Sequence, residues 1–121
     1  MDMPISDVVD RYTILQIKLD RFANREQREK ILEMYRVFEA EVNERVKKQP
    51  ELMPLIEAVR EANADLWDAE AAMTVNLDLR NTKGIARIAR KIRQLNTVRI
   101  EAKNAVSAKV GDFYRDLREQ Y

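Results

Sequence analysis

Apolar side chains recur along this chain at intervals of three and four, the spacing that places them on one face of an α-helix. Val8, Tyr12, Leu15, Leu19 and Phe22 define a first stripe, widened by Ile14 and Ile17. Ile31, Tyr35, Phe38, Val42 and Val46 define a second. A third runs Leu52, Ile56, Val59, Asn63, Leu66, Glu70, Met73, Leu77, and a fourth Ile85, Ile88, Ile92, Leu95, Arg99, Ala102, Val106. Punctuation agrees with the stripes. Ser6 and Asn24 are N-cap residues, with Asp7 and Asp10 suited to the positive end of the first helix. Gln27 completes a weak capping box after Asn24. Pro50 and Pro54 bracket the start of the third helix. Asn81-Thr82-Lys83-Gly84 makes the last turn, and Gly111 suits the residue after the fourth helix. The pattern predicts an all-α antiparallel four-helix bundle, with helices at 6–23, 25–48, 51–79 and 83–110. Phe113, Tyr114 and Leu117 at helical spacing leave room for a short fifth helix, an oligomerisation arm or a loose end.

Composition narrows the chemistry. The chain has 121 residues, enough for one domain with a real core, and two Gly and three Pro are too few for an all-β fold. It contains no Cys and no His, which removes disulfides, Cys/His zinc sites, Cys nucleophiles and His general bases. No cofactor or resident metal is expected. The opening Met1-Asp2-Met3-Pro4 does not read as a signal peptide, and no apolar run has membrane-spanning length, so a soluble cytoplasmic protein is expected, with no membrane partner. The net charge of +1 disguises an asymmetry: residues 24–80 sum to −4 and residues 81–121 to +6. These parts attract each other within one fold or between subunits, and a homo-oligomer is expected.

Polar residues interrupt the stripes at related spacings. Arg11 and Lys18 on helix 1, Asn63 and Glu70 on helix 3, and Asn96, Arg99 and Lys103 on helix 4 each share a helix face, and faces converge in a bundle. Two readings follow. In one, Glu70 pairs with Arg99 or Arg11 inside a buried network that fixes helix register. In the other, four cations, Arg11, Lys18, Arg99 and Lys103, outnumber Glu70 with Asp10 nearby and hold an anionic ligand, a phosphate-bearing nucleotide, with Asn63 and Asn96 at its polar edges. Glu70 would orient an arginine, and Tyr12 or Trp67 would stack on a base. The ligand-binding candidates are therefore Arg11, Tyr12, Lys18, Asn63, Trp67, Glu70, Asn96, Arg99 and Lys103, in a binder rather than an enzyme. Lys83, Arg87, Arg90, Lys91 and Arg93 form a second basic cluster. A solvated helix face explains it, and it lacks the aromatic or loop elements that read bases, so nucleic acid is not the expected partner. An enzymatic alternative rests on Glu41-x-x-Glu44 and Asp65-x-x-Asp68, which distantly resemble the facing carboxylate pairs of all-α Mg²⁺-dependent nucleotide pyrophosphatases.

The blocks Asp10-Arg11-x-Thr13-Ile14-Leu15-x-Ile17-Lys18, Asn63-x-x-Leu66-Trp67-x-x-Glu70 and Asn96-x-x-Arg99-x-x-x-Lys103 resemble the signature of a family of small, all-helical, functionally uncharacterised bacterial and phage proteins. The resemblance covers about residues 5–111 and departs at Gly111-Asp112-Phe113-Tyr114. It implies a helical fold and importance for these positions, not a reaction. A looser likeness is to small helical phage proteins that sequester signalling nucleotides and blunt host immunity; it implies an oligomer that holds phosphates with Arg and Lys. Helical chorismate mutases are also small and basic, but their catalytic spacing is not reproduced.

Overall fold

The computed structural model describes residues 2–21 and 24–111, and within them four α-helices form an antiparallel bundle: α1 (Ile5–Arg21), α2 (Arg25–Lys48), α3 (Leu52–Asp78) and α4 (Thr82–Val110). Each predicted helix is present. The expected α1 end at Phe22-Ala23 and the aromatic tail beyond Gly111 fall outside the described residues.

Local chemistry sets the helix ends. α1 starts one residue before Ser6, because the Pro4 carbonyl accepts from the Asp7 and Val8 amides and so opens the first turn. Ser6 therefore lies inside the helix, and the earlier start carries Ile5 into the core at 4% exposure. Asn24 caps α2, its Oδ1 accepting from the Gln27 amide at 3.2 Å. Asn81 caps α4 in the same way, accepting from the Gly84 amide. Gly111 closes α4 with φ +75°, a left-handed conformation in which a Cβ is costly. Between α3 and α4 the helices approach so closely that a Cβ on Gly84 would lie 2.1 Å from Asn76 Oδ1. Glycine is the residue that fits.

The core is gathered at one end of the molecule. Ile5, Val8, Val9 and Leu15 of α1 pack with Phe38 and Val42 of α2, Leu52, Ile56 and Val59 of α3, and Val106 of α4. α1 touches all three other helices, whereas α2 leans chiefly on α1 and hardly on α3. Lengths differ in a way that matters: at 1.5 Å per residue α1 is about 25 Å long and α3 about 40 Å. α1 ends where Arg21 pairs with Asp68. Beyond that level α3 and α4 continue as a two-helix arm. From Glu70 through the turn to Arg99, Gly84 is the one buried residue.

Candidate functional site

Where the stripes of α1, α3 and α4 meet, the inward polar residues form a connected network centred on Asp10. Arg99 grips its carboxylate with both sides of the guanidinium, Nε donating to Oδ1 at 3.0 Å and Nη2 to Oδ2 at 2.6 Å. Asn63 Nδ2 donates to Asp10 Oδ1 and to Thr13 Oγ1, each at 2.9 Å. Thr13 in turn donates to the Asp10 carbonyl. Lys103, its side chain 6% exposed, lies 3.1 Å from Asp7 Oδ1 and 3.9 Å from Asp10 Oδ2. The bidentate fork is the geometry at which arginine exceeds lysine.

Burial pushes the Asp10 carboxyl towards its neutral form more than any other single influence. The hydrogen bonds from Arg99 and Asn63, with the charges of Arg99 and Lys103, act together in the opposite sense and hold it below the ordinary carboxylate range. The network is thus matched in number: two carboxylates, Asp7 and Asp10, face two cations, Arg99 and Lys103.

This pairing differs from the sequence expectation in one respect. Asp10, not Glu70, is the carboxylate that holds Arg99 in the core. Glu70 is exposed and lies at the mouth of an open cleft beside the network. The nine ligand-binding candidates leave out Asp7, Asp10 and Thr13: the sequence sets Asp10 only near the cations, and an acidic first turn is already explained by the helix dipole. Their signal was nonetheless present: Asp7, Asp10 and Thr13 step by three along the same side of α1 as Ile17.

The cleft has a volume of about 280 Å³ and is walled by Ile14 and Lys18 of α1, Asn63, Leu66, Trp67 and Glu70 of α3, and Asn96 and Arg99 of α4. Six of the nine candidates, Lys18, Asn63, Trp67, Glu70, Asn96 and Arg99, converge there. The other three go elsewhere. Lys103 sits deeper, against Asp7 and Asp10. Arg11 is exposed on the outer ridge of α1, beside a smaller groove that it lines with Lys18, Met34 and Phe38. Tyr12 turns towards α2 and stacks on Tyr35, ring centroids 5.4 Å apart. Gln16 Nε2 donates to both phenol oxygens. Tyr12 is therefore part of the α1–α2 contact, and Trp67 is the aromatic wall of the cleft.

Charge at the cleft is balanced rather than strongly positive. Lys18 enters no ion pair among the described residues, but Glu70 stands across from it and Arg99 carries its own carboxylate. The four-cation clamp expected from sequence is not assembled at one place: one cation lines the cleft unneutralised by the network, one is exposed, and two are matched by Asp7 and Asp10.

The carboxylates of the pyrophosphatase-like pattern do not gather either. Glu41 pairs with Arg45 and Glu44 with Lys48 on their own helix, while Asp68 pairs with Arg21. Among the described residues no three acidic side chains come close enough to hold a metal ion. None of the described helices is long and apolar enough to cross a membrane. The chain matches no family model, no curated protein and no solved structure.

Proposed function

We propose that this chain is a non-enzymatic module that binds a small nucleotide-type ligand in the α1–α3–α4 cleft. The observation that carries the reading is convergence: three helices bring a lysine, two asparagines, a tryptophan and a glutamate to one recess, beside an arginine held rigid by Asp10. Small-ligand sites begin at about 300 Å³, so the recess suits one ring system with a short anionic group. The ring lies on Trp67, the anion meets Lys18, and Asn63, Asn96 and Glu70 address the ring's donors and acceptors. The balanced charge favours a ligand with one phosphate over a polyphosphate. Sequestration of a signalling nucleotide, as the likeness to phage anti-defence proteins implies, is the use that fits a site with a positive contact and no nucleophile or His base.

A second reading has its own support. Because Asp7 and Asp10 neutralise Lys103 and Arg99, the network needs no guest and serves equally as the register key of a structural or interaction module. A thermal-shift screen with nucleoside monophosphates and cyclic dinucleotides separates the two. Ligand at a hundred times its dissociation constant stabilises the protein by about 2.7 kcal/mol. The expected result is a shift with at least one nucleotide that disappears in Lys18→Ala, which melts like the parent without ligand, and in Trp67→Ala, compared with its own ligand-free melt because the half-buried ring also packs. Absence of any shift overturns the binding reading and leaves the structural module.

A further inference from the structure

The second helix of the arm carries cations without acids. Between Asp78 and Glu101 the chain has seven basic residues and no acidic one. Arg99 is held by Asp10; the other six, Arg80, Lys83, Arg87, Arg90, Lys91 and Arg93, are exposed. None of the six enters an ion pair among the described residues. Elsewhere Arg25, Arg45, Lys48 and Arg60 each meet an acid three or four residues away on the same helix. On α4 those spacings set cation against cation: Lys83 and Arg87, Arg87 and Arg90, Arg87 and Lys91, Arg90 and Arg93. Such pairs weaken a helix. The fold gains nothing from them, whereas an anion brought from outside relieves them.

Sequence alone accounts for this face by solvation and finds no aromatic or loop element on it to read bases. Holding a phosphate backbone needs neither, because cations supply the affinity. The other residues exposed between Lys83 and Thr97 are Ala86, Ala89 and Gln94. They offer no large apolar group to sink into lipid or to anchor a protein partner. The apolar side of α4, with Ile85, Ile88, Ile92 and Leu95, is half-buried against α3 and is not free to supply one. At about 100° per residue, Arg87 and Lys91 fall on one shoulder of the outer face, Arg90 and Arg93 on the other, and Lys83 between them. The run rises about 15 Å along the axis.

We infer that the outer face of α4 docks in the major groove of duplex DNA, its two shoulders reaching the phosphates of the two strands. A helix with its side chains is about 10–12 Å across, and the B-form major groove is about 12 Å wide. The corresponding groove of duplex RNA is too narrow to enter. Glu57, Glu61 and Asp65, exposed at the base of α3, repel the same phosphates and confine the contact to the arm. Ala86, Ala89 and Gln94 give little with which to tell bases apart, so binding is largely independent of sequence. The contact is separate from the nucleotide cleft, which none of the six cations lines.

Fluorescence anisotropy of the full chain with a labelled DNA duplex of about 20 base pairs, two turns, tests this. Saturable binding is expected, and five phosphate contacts make log K fall against log salt with a slope of about −4.5 between about 50 and 200 mM. The double variant Arg87→Ala, Arg90→Ala brings the slope to about −2.7. Both positions are exposed, so its melting temperature equals or exceeds the parent's. The control Lys30→Ala, Arg36→Ala removes two exposed charges from α2 and leaves the slope unchanged. No binding to the duplex at 50 mM salt, at the lower end of that range, overturns the proposal, as does a slope that responds equally to both double variants. Tighter binding to an RNA duplex of the same length, or to phosphatidylserine vesicles, overturns it as well.

Discussion

Asp10 is the residue on which the others depend. Its carboxylate satisfies Arg99, Asn63 and the nearer side of Lys103 at once, and removing one member of a buried charged set leaves the rest without compensation. Asp10→Ala is expected to cost about 3–5 kcal/mol in urea unfolding; a loss below about 1 kcal/mol would show that the network contributes no more than a surface pair. The pH dependence has a definite sign. Asp10 ionises more readily folded than unfolded, so its contribution is complete above the unfolded value of about 3.9 and is lost as pH falls through the lower folded value. Asp10→Asn is expected to flatten the stability profile in that acidic window, which denaturation at stepped pH reads directly. A neighbour shows the opposite economy. Ser107 is 2% exposed, and its Oγ has no hydrogen-bond partner among the described residues. Ser107→Ala should therefore leave stability unchanged or raise it by up to about 1 kcal/mol; a loss of that size in thermal melts would mean that the hydroxyl is satisfied in solution. These two positions also show where the sequence was opaque. That Arg99 faces inward was legible from the stripe Ile92, Leu95, Arg99, Ala102, Val106. Which acid would meet it was not, because Glu70, Asp10 and Asp7 all occupy permissible faces and only the relative height of α1 and α4 chooses among them.

At the scale of the element, the α3–α4 turn is the most constrained connection. Asn81 accepts from the Gly84 amide and donates to Asn76 Oδ1, while Asn76 Nδ2 donates to the Ala72 carbonyl. Asn81→Ala should cost about 1 kcal/mol, the usual worth of an N-cap. Gly84→Ala should cost more, since its Cβ must displace Asn76, and the double change Asn76→Ala, Gly84→Ala should recover part of that loss. Additive losses in equilibrium unfolding would show that the two residues do not meet. Caps and breakers were the part of the fold most openly written: Asn24, Asn81 and Gly111 stand where their chemistry requires. Ser6 did not, because capping propensity at one residue yields when a turn further upstream buries Ile5. Tyr12 is a related case. Its spacing fits both the bundle seam and a ligand wall, and the choice was made by Tyr35 on the next helix and Gln16 one turn along.

The whole molecule divides into a well-filled base and an under-filled arm, and that division has an energetic consequence. Opening free energies follow local apolar burial, so the segments around Val9 and Val59, both 0% exposed, should exchange amide hydrogens near the global unfolding limit. Amides of the arm lack that protection in a single chain, since the helices there share one seam and face solvent on the other side. Residues 74–95 should therefore exchange well before the base does. Hydrogen exchange makes the comparison within one sample, with the base as internal reference. Equal protection of arm and base would mean that the hairpin is stable by itself. The apolar line through Met73, Ile88 and Ile92, half-buried between α3 and α4, would then be enough to hold the two helices together without help from α1.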